Sequence, residues 1–330
     1  MSKEFTKYLA SLVLFGSNGI VAAHVALPVC QLVLWRTLAG SILILAALAG
    51  SCARTSSRAR ADASGVGAPR LAATDHPREA LSLAASGAAL GVGWIFLFGA
   101  YRLVGVGVAT LTYYCGPVIV MALSPLLCGE RLTCVKVACL SSVAVGAALV
   151  VLRGAGPAPD VAGLALGAGS AVMYAAMVLF AKRAPHVGGM ESAAIQLVAS
   201  CVAVTTWAAL TGTLPTPSSL VGPSLPALLV LSVVNTGVGC YLYFSSLGAL
   251  SVQRVAVCGY LEPLSAVLLS ALLLGETLTP LCLLGGLLII GGAVSSELAG
   301  SVRLRRRTCG TLAHGRPVPA NGLVAGHATH

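Results

Sequence analysis

Glu262 and Pro263 stand side by side in the middle of an apolar run, residues 252–274. A carboxylate at that depth of a membrane helix is costly, so it normally faces a cavity or a partner, where it can take a proton or a substrate group. The proline after it removes a backbone donor. The helix can then open locally and line a site with freed carbonyl oxygens. A structural carboxylate capped by hydroxyls or by Arg36 is the plainer alternative.

Arg36 is the one basic residue inside an apolar run, residues 29–50. It could pair with Glu262, receive an anionic substrate group, or reach to the lipid headgroups. Tyr113, Tyr114, Tyr260, Trp94 and Tyr241 are candidate lining residues, with Phe98 and Phe244 beside them. Aromatics at helical spacing more often serve packing. Asn18 is a further candidate, although interhelical hydrogen bonding is the simpler reading for it and for Asn235. Pro117 and Pro263 sit at the midpoints of two long apolar runs and are the candidate hinges.

The elements that must hold these residues are membrane helices. Mean hydropathy is +0.92, 57% of the 330 residues are apolar and 9% are charged, against about a quarter charged in soluble domains. The runs approach 20 residues and do not alternate, which argues for helices rather than barrel strands. We expect ten: 8–27, 29–50, 80–100, 106–128, 134–152, 161–181, 192–211, 225–247, 252–274 and 281–298. Between the second and third, residues 51–79 are rich in Arg, Ser, Ala and Gly, and a solvated, disordered loop is expected there. Residues 299–330 form a basic tail of the same kind.

The chain is written twice. Residues 114–133, YCGPVIVMALSPLLCGERLT, fall without a gap on 260–279, YLEPLSAVLLSALLLGETLT, and ten of the twenty positions are identical. Composition would give roughly two matches, so an internal duplication is the reading. The same 146-residue offset pairs Gly91-Val92-Gly93 with Gly237-Val238-Gly239 and Gly146-Ala147 with Gly292-Ala293. Five helices per copy, in 8–152 and 161–298, force the copies into opposite orientations. With the N-terminus inside, 17 of the 20 basic residues fall on the cytoplasmic side, as the positive-inside rule requires. Both termini are then cytoplasmic. Inverted repeats suit alternating access around a midplane site, because two similar halves can exchange conformations.

Charge +10 in loops and tails removes the case for a nucleic-acid partner. Eleven cysteines without a CxxC pair, and six histidines without ligand spacing, give no metal site and no disulfide framework. One interior carboxylate and one guanidinium do not make a membrane enzyme. Without G-x-x-x-x-G-K-[ST], ATP-driven transport is unsupported, and no cofactor is implied. A channel or a membrane receptor stays as the alternative. Glu130 and Glu276 recur at helix starts near the surface and are read as helix-end stabilisers. Gly87-x-x-x-Gly91 and Gly163-x-x-x-Gly167 permit close helix approach.

The Pro-centred helix followed by Leu-Leu-x-Gly-Glu-x-Leu-Thr, present in both halves, resembles the EamA-type repeat of the drug/metabolite transporter superfamily. So do the ten helices and the start Phe15-Gly-Ser-Asn-Gly19. The resemblance covers residues 8 to 298, and the Glu262-Pro263 pair is similar to its common pattern. It implies a multi-pass carrier of the bacterial inner (cytoplasmic) membrane, often an exporter of amino acids or other small metabolites. Residues 51–79 look longer than the corresponding family segment. The expected partners are a small-molecule substrate, membrane lipids and a coupling proton; direction of transport and homodimerisation are left open.

Overall fold

A computed structural model of the chain describes residues 2–61, 71–128, 133–151, 160–215, 225–274, 280–281, 283–292 and 294–295. Every described element is helical. In chain order they are α1 (Lys3–Gly16), α2 (Asn18–Ala23), α3 (Val29–Ala61), α4 (Ala72–Asp75), α5 (Pro77–Tyr113), α6 (Cys115–Cys128), α7 (Cys134–Val151), α8 (Val161–Ala181) and α9 (Gly189–Leu210). Then come α10 (Leu225–Leu229), a π-helical stretch (Val230–Val238), α11 (Gly239–Leu247), α12 (Val252–Cys258), α13 (Leu261–Leu274) and α14 (Leu283–Gly292). Among the described residues, six spans are long and apolar enough to cross a membrane: Lys3–Ala22, Val29–Arg54, Pro77–Val104, Val161–Ala181, Gly189–Leu210 and Leu225–Leu247. Their outer faces carry exposed Ile42, Val161 and Leu210, which suit lipid. The chain is a multi-pass helical membrane protein.

Small side chains set the packing, as expected where lipid removes the hydrophobic drive between helices. A Cβ at Gly91 would lie 2.8 Å from Ser200 O, so α5 and α9 meet nearly backbone to backbone. Gly163 lies against Leu103 and Val104, while Gly167 lies against Thr112. Both pairs of glycines spaced four apart are therefore used at real crossings.

The same contacts give the path of α5. Going up α8, Gly163 meets Val104, Leu166 meets Gly99, Gly169 meets Phe96 and Met173 meets Gly93, so the first part of α5 runs antiparallel to α8. Thr112 at Gly167 and Gly116 at Tyr174 then run parallel to it. The helical run therefore doubles back between Val104 and Thr112. A straight helix of that length would span roughly 55 Å, well beyond a bilayer core.

Three expected helices are broken where the sequence reading had them whole. The first divides at Ser17, whose hydroxyl donates to Leu14 O at 2.7 Å. The fourth divides at Tyr114 and the ninth at Gly259-Tyr260. Pro117 and Pro263 each become the third residue of the next helix, where no intrahelical donor is needed. The eighth keeps its length but widens to a π-helix over Val230–Val238.

Residues 51–61 and 71–79 correct those parts of the expected disordered loop, while 62–70 lie outside the described residues. The stretch 51–61 continues α3, since Ala and Arg dominate it and neither Gly nor Pro occurs there. Residues 71–79 are held as well: the Glu191 carboxylate accepts the N–H groups of Ala72 at 3.0 Å and Ala73 at 2.6 Å, capping α4. The Glu130 and Glu276 positions lie outside the described residues.

Near their ends, the two halves make reciprocal contacts. A Cβ on Gly146 would meet Gly285 O at 2.6 Å and Ile289 Cγ1 at 3.0 Å. A Cβ on Gly292 would meet Cys139 O at 3.0 Å and Val143 Cγ1 at 2.7 Å. Each residue of the second set is the 146-residue counterpart of one in the first, the pattern expected of self-complementary surfaces around a two-fold.

Candidate functional site

Arg36 is fully buried on α3, which overturns a headgroup-reaching side chain. Its guanidinium lies over the Trp94 ring, 4.0 Å from the centroid, with Phe98 at 5.6 Å. Nε donates to Thr236 Oγ1 at 2.9 Å and Nη2 to Asn18 Oδ1 at 3.4 Å. These partners lie at the two irregular backbones: Asn18 opens α2 just after the Ser17 break, and Thr236 lies in the π-helical stretch. The π geometry shows in Thr236 itself, whose hydroxyl reaches Leu231 O, five residues back, at 2.8 Å. Asn235 ties the same two regions together, donating to Leu14 O at 2.9 Å and Ser17 Oγ at 2.7 Å. Both asparagines are therefore interhelical links, and one of them also holds the arginine.

One arginine nitrogen is left over. Nη1 is buried and has no hydrogen-bond partner. Among the described residues the ion pairs are Lys7–Glu4, His76–Glu79 and His186–Glu79, so Arg36 and Glu262 do not form one within 4.0 Å. The two charges nevertheless lie within electrostatic reach of each other.

Glu262 occupies the first turn of α13, and its N–H bonds Gly259 O at 3.1 Å. The helix N-terminus favours its negative charge. Close packing fixes the backbone there. Ser265 Oγ bonds both Glu262 O at 2.7 Å and Leu12 O at 3.2 Å, and a Cβ at Gly16 would lie 2.9 Å from Glu262 O. The carboxylate also interacts electrostatically with Tyr8, Tyr113, Tyr114 and Tyr174.

Those tyrosines belong to one connected group. Tyr113 packs edge-on against Tyr114 and Tyr174, both at 5.4 Å between centroids. Tyr114 meets Tyr260 at 5.7 Å, and Tyr8 meets Tyr243 at 5.5 Å. The Tyr8 hydroxyl donates to Val255 O at 2.8 Å. The Tyr243 hydroxyl is buried and interacts with the Tyr174 hydroxyl. Six of the eight tyrosines, from both halves of the chain, are thus linked in one group, and four of them lie in electrostatic reach of Glu262. Tyr113, Tyr114 and Tyr260 are among the six. Tyr241, two residues before Tyr243, packs at the edge of the core and joins none of the described ring pairs. Phe244 meets Tyr243 edge-on at 5.3 Å between centroids.

Sequence reasoning missed Tyr8, Tyr174, Tyr243 and Thr236. The first three carry the same signal as the tyrosines it chose, a phenol inside an apolar helix. Thr236 carries none, because its role comes from the π-helical register.

A separate groove of about 990 Å³ lies between α3, α5 and α9. Its walls are apolar side chains such as Leu45, Ala88 and Val202, with Glu191 at one end. It contains neither Arg36 nor the tyrosines, so its volume says nothing of the polar site. The arrangement that can do chemistry is the buried one: a guanidinium with a free N–H, and a carboxylate with phenols in its electrostatic reach. It can receive a small polar or charged group and exchange a proton.

The sequence profile of the EamA-like transporter family matches residues 6–152 and again 161–296. A Bacillus subtilis (strain 168) protein called uncharacterized transporter YxxF is 22% identical over 277 residues, covering 83% of each chain. Another from the same organism, uncharacterized transporter YvbV, is 30% identical over 178 residues, or 53% of this chain and 57% of its own. One solved crystal structure covers 90% of this chain and 99% of its own with a TM-score of 0.71 at 22% identity, which is a likeness of fold.

Proposed function

Because the chain belongs to the EamA-like transporter family, a family of carriers rather than enzymes, we propose that it is a secondary active transporter exporting a small organic metabolite across the cytoplasmic membrane. The solute class is amino acid-like or drug-like. In this reading the two halves are inverted five-helix repeats that alternate access to a site between them. The reciprocal contacts of Gly146 and Gly292 support that relation. The basic residues support cytoplasmic termini, with the 51–79 segment and the tail inside.

The observation that carries the proposal is the buried Arg36 with its unpartnered Nη1, in electrostatic reach of Glu262. Stability alone gives little reason to leave a buried charged donor unsatisfied, since such a group costs at least about 1–3 kcal/mol. A transported solute would satisfy it. Glu262 is the proton- or substrate-binding group, and Tyr113, Tyr114, Tyr260, Trp94 and Asn18 line or brace the site. Pro117 and Pro263, just past the two matched helix breaks, are the hinges.

A thermal-shift panel of amino acids, nucleosides, sugars, polyamines and cationic drugs tests this on the purified protein. A solute at a hundredfold excess over its dissociation constant stabilises by about 2.7 kcal/mol. A selective hit that Arg36→Gln or Glu262→Gln removes supports the site. A hit that both variants retain contradicts it.

A further inference from the structure

His76 lies between α4 and α5, Glu79 in the first turn of α5, and His186 in the connection from α8 to α9. The first two are three residues apart, and the third comes from the other half of the chain, so no sequence spacing announces the group. Glu79 Oε1 is 2.6 Å from His186 Nδ1 and 4.0 Å from His76 Nδ1. The two imidazoles stack at 4.7 Å with 16° between their planes. One donor atom from each of the three residues lies within 4.8 Å of the others.

Two imidazoles and a carboxylate are the nitrogen and oxygen set that suits zinc. With bonds near 2.0–2.1 Å, a tetrahedral ion asks for donors about 3.4 Å apart. The observed separations of 2.6 and 4.0 Å lie on either side of that value. The His76 and His186 side chains are 42% and 64% exposed, so both rings are free to turn onto an ion. Glu79 is already oriented, because its second oxygen accepts the His186 backbone N–H at 2.9 Å. Hydrogen bonding of this kind supports a ligand from behind the first shell. The exposed side leaves room for water as a fourth ligand.

We propose that His76, Glu79 and His186 form a binding site for a zinc-class divalent ion. A bound ion would join the start of α5 to the α8–α9 connection. Glu191 already crosses the same junction to the N–H groups of Ala72 and Ala73. The ion would therefore hold this end of the two halves together.

The test is a zinc titration of the full chain in detergent, read by calorimetry and thermal shift, with magnesium alongside. His314, His327 and His330 in the tail could bind zinc on their own account, so a variant with all three changed to Asn is run as well. The site predicts one zinc per chain in the tail variant, stabilisation by zinc and none by magnesium. It also predicts at least about a tenfold weaker affinity in His76→Ala and in His186→Ala. Loss of zinc binding in the tail variant, or unchanged binding in either alanine variant, overturns the proposal. Failure of zinc to stabilise the parent chain overturns it equally.

Discussion

The Tyr260 hydroxyl donates to the backbone carbonyl of Tyr114 at 2.6 Å, and the two rings meet at 5.7 Å. These residues are 146 apart and hold the same position in the two copies of the repeat. Each lies at a helix break, three residues before a proline. The bond therefore fastens one break to the other. Under the proposed alternating access, two matched irregularities in contact would serve as a pivot for the exchange of conformations.

Tyr260→Phe keeps the ring contact and deletes this bond. It should lower stability in detergent by about 0.5–1.5 kcal/mol, read from chemical denaturation. If the breaks are a coupled pivot, transport rate should change by more than this loss of stability explains. Ser82→Ala, which loses the bond from Ser82 Oγ to Phe180 O at 2.8 Å away from the tyrosines, serves as the control.

Arg36 should not tolerate lysine. Lysine keeps the charge but cannot reach Thr236 and Asn18 together, and it loses the flat stack on Trp94. Arg36→Lys should therefore lose solute-induced stabilisation while the protein stays folded. Trp94→Leu should cost about 2 kcal/mol of stability, the worth of a desolvated cation–π contact. Both are read by thermal shift, with and without solute.

Gly16 should be closed to substitution while Gly19 is open. A Cβ at Gly16 overlaps Ser265 Oγ and comes within 2.8 Å of Ala266 N, whereas a Cβ at Gly19 meets nothing within 4 Å. Gly16→Ala should destabilise by about 1–3 kcal/mol, by forcing α1 away from α13. Gly19→Ala should be close to neutral. Equal effects in the two would mean that α1 does not press on the Glu262 turn.

Much of this was legible in the sequence. Hydropathy pointed to a multi-pass helical membrane protein, and the repeated Tyr-x-x-Pro stretch pointed to the matched pair Tyr114 and Tyr260 that is in contact. Arg36 and Glu262 stood out because charge is expensive at that depth. What pattern could not supply was irregular backbone. Hydrophobic periodicity reads helices 1, 8 and 9 as continuous, because Ser17, the Val230–Val238 stretch and Gly259 are as compatible with an apolar helix as their neighbours. Tyr243 is buried in the tyrosine group, while Tyr241 packs at the edge of the core. Residues 51–61 were misread through composition: arginine-rich segments are usually solvated, yet nothing there stops a helix. His76 and His186 meet only because the two halves pack together.

Glu262 should govern the response to pH. A neutral amide of the same size at that position cannot exchange a proton. Glu262→Gln should therefore flatten the pH profile of transport and leave the folded protein intact by thermal shift. An unchanged profile in a folded variant would remove Glu262 from the mechanism.

The most direct measurement of the central claim is counterflow in liposomes containing the purified protein, using the solute that the thermal-shift panel selects. The account predicts that unlabelled solute inside drives transient uphill accumulation of labelled solute, that the flux saturates, and that Arg36→Gln abolishes it. Flux that rises linearly with concentration, with no counterflow, would identify a pore and contradict a carrier with a site between its two halves.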